Sequence, residues 1–162
     1  MATTRNPLPE FDQEMATTRR LLERVPDDKS SWQPNSKSFP LGHLAQLLSW
    51  MPGWIANTIR EPDLDLAAYP GYSHQATEAL LATFDANVEA AREALRGATK
   101  ATLGESWSLK HGQHVRWTAP KGVVIRNHLN HLIHHRGQLT VYLRLVEVPI
   151  PPIYGPTADE QP

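Results

Sequence analysis

In the segment LPEFDQEMATTRRLLERV the apolar residues Phe11, Met15, Leu22 and Val25 recur near helical spacing, with polar and charged residues between them. The pattern stops at PDDKSSWQPNSKS, a polar, proline-containing connection that reads as loop. It resumes in SFPLGHLAQLLSWMPGWIANTIR. There Ser38 can cap a second helix, Pro40 suits the first turn where a missing N–H costs nothing, and Pro52 predicts a kink. After the loop EPDLDLAAYPGYS, the alanine-, leucine- and glutamate-rich run HQATEALLATFDANVEAAREALRGA predicts a third helix closed by Gly97. The segment ESWSLKHGQHVRWTA breaks the period; Trp107, Leu109, Val115 and Trp117 around Gly112 predict a short hairpin or an ordered loop. Helical spacing returns from Lys121 to about Val146, and the proline-rich tail PIPPIYGPTADEQP is expected to run extended over the surface. Four long helices in one domain, residues 1–162, predict an all-α four-helix bundle with a hairpin or irregular segment before the last helix.

Composition narrows the function. At 162 residues with a formal charge of −1 and a pI near 6.7, the chain carries no broad electrostatic argument for nucleic acid or an anionic membrane. No apolar run reaches the length of a membrane span, and the N-terminal residues lack the apolar centre of a secretion signal, so a cytoplasmic location is expected. Without cysteine there is no disulfide and no thiolate, so any bound metal must take histidine or carboxylate ligands.

The candidate chemistry is concentrated in NHLNHLIHHRGQL, where His128, His131, His134 and His135 hold half of the chain's eight histidines. Residues four apart on a helix differ by only about 40° in direction, so His131 and His135 share a face and can converge on one ion. The H-E-x-x-H zinc helix uses the same spacing, but here the segment reads H-L-I-H-H and lacks the glutamate, which removes the metalloprotease reading. His134 points away from that face, and His128 lies near enough to support it without being a ligand. A catalytic zinc typically takes three protein ligands, and His43, among the apolar residues of LGHLAQLL, is the best third. Taken alone, a histidine so placed is more often a hydrogen-bonded core residue than a ligand. The five tryptophans have an equally plain reading as core or pocket wall. Gln138 is positioned to orient one imidazole, and Arg136, about 100° from His135, reads as an ion-pair anchor. Gly137, costly inside a helix, implies close packing of another backbone.

The stretch NHLIHHRGQLTVYLR, with VPDDKSSWQPNSKSFPLGHLAQLLSWMPGW upstream and VPIPPIYGPTADE at the end, resembles the DinB/YfiT-like metalloenzyme family over nearly the whole chain. The resemblance implies a four-helix bundle and a metal held by one histidine from the second helix and an H-x-x-x-H pair from the last. His131 and His135 match that pair; in many relatives the second-helix ligand would align with Leu47, one turn after His43. Three neutral nitrogens, His43, His131 and His135, would suit zinc or nickel.

The expected function is therefore a metal-dependent enzyme acting on a small molecule, a hydrolase or a thiol-dependent transferase. The alternative is a non-catalytic, stress-associated binding or dimerisation module with structural histidines. The large apolar residues Trp50, Trp54 and Ile55, together with the resemblance, lead us to expect a homodimer formed by helix packing.

Overall fold

The computed structural model describes residues 8–161. Four long helices form its frame: α1 Leu8–Leu22, α2 Leu41–Arg60, α3 Thr77–Gly97 and α5 Lys121–Leu145, with a short α4, Lys100–Gly104, before the hairpin. α1 packs on α3 and α5, and α2 packs most extensively on α3 and then α5. Apolar residues at helical steps meet along these contacts; Leu21, Leu41, Leu48, Met51, Leu139 and Leu143 are fully buried.

The expectation of an all-α chain needs correction. A three-stranded sheet, order β1-β2-β3, lies beside the bundle, built from β1 Asp63–Asp65, β2 Ser106–His111 and β3 His114–Pro120. The hairpin is as expected: His111 pairs with His114 across Gly112 and Gln113, and Gly112 supplies the positive φ of 59° that the tight turn requires. β1 gave no signal because a three-residue strand is too short to show alternation. It pairs parallel to β2, and it is held from its side chains as well. Asp63 forms an ion pair with Lys110, and the Asp65 carboxylate accepts from the Gly112 N–H at 2.9 Å.

Helix ends also differ from the sequence reading. α2 begins at Leu41 with Pro40 as its N-cap, and its first amides donate to the carbonyls of Trp32 and Ser30, so Ser38 is not the cap. α2 runs as one helix through Pro52. Gly97 is the last residue of α3, and the chain leaves through Ala98 in extended conformation, so no left-handed glycine cap forms. α5 ends on Glu147 instead, at φ 62°: its N–H donates to Arg144 C=O and the Val148 N–H to Leu143 C=O.

The tail is pinned, not merely laid over the surface. Ile150, Pro151 and Pro152 are buried, and Asp159 and Glu160 pair with Arg144 and with Arg20 and Arg24. Arg136, 1% exposed, forms an ion pair at 2.6 Å with the buried Glu14 of α1 and donates to the Tyr154 hydroxyl at 2.7 Å. The anchor reading of Arg136 thus holds. The close-packing reading of Gly137 does not: an added Cβ there would meet nothing within 4 Å.

Candidate metal centre

α2 and α5 run antiparallel, and two contacts set their register. Lys121 Nζ donates to Ile59 C=O at 2.9 Å, and Trp54 lies against His128 and His131, with ring centres 5.7 and 6.1 Å apart. Both helices rise about 1.5 Å per residue, so the walk from Trp54 back to Leu47 equals the walk from His128 on to His135. Leu47 therefore stands level with the histidine pair, and His43 lies one turn further along.

The structure brings His131 and His135 together. Their Nε2 atoms are 2.8 Å apart, with His135 buried and His131 exposed. Gln138 holds His135 from the other side: its Oε1 is 2.7 Å from Nδ1, and an amide oxygen can only accept. The Nδ1 proton is thereby fixed, and the His135 Nε2 lone pair faces His131. In the protein alone that lone pair accepts the N–H of His131 Nε2.

His43 is held elsewhere. It sits between Phe39, 4.3 Å away, and Tyr72, on which it stacks at 4.8 Å and 16°. Among the described residues no group of three His, Cys, Asp or Glu side chains stands together so as to hold a metal ion. His134 is exposed beside His135, ring centres 5.2 Å apart.

Trp54 flanks His131, and further aromatic pairs lie along the bundle. The Trp54 indole N–H donates to the Tyr69 hydroxyl, Trp50 meets Tyr69 edge-on at 5.5 Å, and Trp32 meets Tyr142 edge-on at 5.6 Å. Trp107 of β2 reaches His128 at 6.0 Å, so the hairpin closes the end of the site nearest Trp54. The tryptophans were expected in the core or a pocket wall; Trp107 is buried, whereas Trp117 lies exposed on β3. The roles of Tyr69 and Tyr72 had no signal, because both lie in an irregular segment.

The electrostatics favour neutral imidazoles. Burial, with a smaller contribution from His131, pushes His128 down to about 4. Burial and then the neighbouring His135 and His134 lower His131. Burial lowers His135 too, while the Gln138 hydrogen bond opposes that shift. Burial alone lowers His43. Neutral nitrogen is the form that binds a metal.

Two nitrogens bound to one zinc, each at about 2.0–2.1 Å, lie no more than about 4 Å apart. The pair at 2.8 Å meets that limit, and Gln138 supplies the outer hydrogen bond that ligand histidines usually make. His131 and His135 thus fit as two donors, and Leu47, level with them on α2, has no donor atom.

A mainly helical bundle with a small three-stranded sheet defines the class of fold. The sequence model of the DinB family matches residues 1–161, and the chain belongs to that family. It is similar in structure to a DinB-like protein from Bacillus subtilis, at 20% identity and TM-score 0.70, covering 90% of this chain and 96% of that one. A DinB-like protein from Bacillus cereus ATCC 10987 is similar at 21% identity and TM-score 0.69, covering 91% and 95% of the two chains. No curated protein matches the chain. No helix among the described residues is long and apolar enough to cross a membrane.

Proposed function

We propose that this DinB-family protein binds one divalent transition metal, zinc or nickel, through His131 and His135, and acts in the cytoplasm as a hydrolase or transferase on a small molecule. The observation that carries the reading is the pair of Nε2 atoms 2.8 Å apart with the Nδ1 proton of His135 held by Gln138. A bound divalent ion would supply Lewis acidity at positions left open to water or substrate. The chain's own part is to present two neutral nitrogens, to fix one of them through Gln138, and to limit access with the Trp54 and Tyr69 wall. His43 enters this site only if its stack on Tyr72 opens.

The lack of three clustered ligands among the described residues favours a second reading, a non-catalytic module in which the histidines serve the fold. Metal analysis of untagged protein separates the two. About one ion per chain, lost in the His131→Ala/His135→Ala variant while the helical spectrum persists, supports the metal site. Full metal occupancy in that variant, or none in the wild type after exposure to zinc and nickel, removes it.

A further inference from the structure

Away from α5, the chain sets two further imidazoles against each other at the tip of the β2–β3 hairpin. His111 and His114 are directly opposed in the ladder and flank the two-residue turn of Gly112 and Gln113. Both are exposed, and neither ring has a hydrogen-bond partner among the described residues. Two exposed histidines are ordinarily no more than solvated surface residues. The ladder sets these two apart from that case. Residues directly opposite on an antiparallel pair point to the same face, with Cβ atoms about 4.5–5.5 Å apart. The turn fixes the register: Gly112 takes the φ of 59° that it needs, and its N–H donates to Asp65 of β1 at 2.9 Å.

Two nitrogens on one ion lie no more than about 4 Å apart, and imidazoles at that Cβ separation reach far enough to meet the limit. Charge at the tip favours a cation. Oδ1 of Asp65 accepts the N–H groups of Ala67 and Gly112, both at 2.9 Å, and its other oxygen makes no hydrogen bond among the described residues. Lys110, next to His111, is neutralised by its ion pair with Asp63. Among the described residues no three His, Cys, Asp or Glu side chains stand together, so this pair and the pair on α5 are separate.

We propose that the hairpin tip is a second transition-metal site, in which His111 and His114 bind one divalent ion and water fills its remaining positions. Two imidazole nitrogens without a thiolate follow the general affinity order of the divalent metals, so copper(II) binds tightest, ahead of nickel(II) and zinc(II). Solvent reaches this ion from every side but the hairpin. Neither ring has an acceptor like the one Gln138 offers His135. The ion therefore exchanges freely and is stripped during gel filtration, and it adds nothing to the metal retained by the purified protein.

Calorimetric titration of the untagged His131→Ala/His135→Ala variant with copper(II), nickel(II) and zinc(II) tests the hairpin by itself. The α5 pair is absent from that background, so the outcome is independent of whether His131 and His135 hold a metal. Copper should bind tightest. Adding either His111→Ala or His114→Ala should remove one equivalent of copper uptake, because the ion needs both rings. Gln113→Ala, between them in the turn, should leave uptake unchanged. All three side chains are exposed, so the circular dichroism spectrum should not move. In the wild type, substoichiometric copper should broaden the imidazole resonances of His111 and His114 together. No copper uptake in the double-variant background overturns the proposal, as does uptake that survives either histidine substitution or broadening that spares one of the two rings.

Discussion

Replacing His128 by leucine should flatten the acid side of the protein's stability profile. His128 lies between Trp54 of α2 and Trp107 of β2, and the titratable neighbour acting on it is His131 of its own helix. Burial holds it near 4 in the fold against 6.5 for an ordinary histidine. Between those values the unfolded chain binds the proton that the folded chain refuses. Stability is therefore complete above about pH 6.5 and falls as the pH drops toward 4. The full shift, at about 1.4 kcal/mol per unit, corresponds to roughly 3 kcal/mol, of which about 2 kcal/mol should be lost between pH 7 and pH 5. The assay is urea unfolding of wild type and His128→Leu with chelator present, which removes metal linkage from the comparison. The stability difference between the two proteins should move by that amount in favour of the variant as the pH falls. A difference constant to within about 0.5 kcal/mol over the interval would refute the reasoning and make His128 an ordinary solvated imidazole.

Glu14→Leu should lower the unfolding free energy by roughly 3–5 kcal/mol, because it leaves the buried guanidinium of Arg136 without its counter-charge; denaturant titration at neutral pH reads it directly. Gln138→Leu should weaken metal binding by about 10–100-fold in a competitive chelator titration while leaving the ligand nitrogens in place, because His135 loses the acceptor that fixes its Nδ1 proton.

The helices were legible because each long one carries an apolar face at the right period, and the hairpin because Gly112 sits between alternating apolar residues. β1 was not, since three residues cannot show a period and its pairing depends on Ser108–Lys110, far along the chain. In the site, the four-residue spacing of His131 and His135 translated directly into contact, and Gln138, three residues beyond His135, followed from the same arithmetic. His43 lies on the expected helix, but spacing within one helix does not reveal how far that helix is shifted along its neighbour. The antiparallel register puts Leu47 level with the pair, and the Tyr72 ring that covers His43 comes from a loop with no periodic signal. Arg136 was readable as an anchor, while its partner Glu14 was hidden among the charged residues of an amphipathic first helix.

The Glu14–Arg136 pair also constrains the order in which a growing chain can settle. The two residues are separated by 122 positions, and the Tyr154 hydroxyl that bonds to the same carboxylate lies further on still. At about 5–20 residues per second, the ribosome needs roughly 6–24 s to deliver Arg136 after Glu14. Throughout that interval α1 has a carboxylate that its final position would bury and no guanidinium to meet it. The neighbouring pair α2 and α3 shares the most extensive packing and is complete far sooner. Co-translational folding should therefore begin with the α2–α3 hairpin, and the first helix synthesised should be among the last to dock.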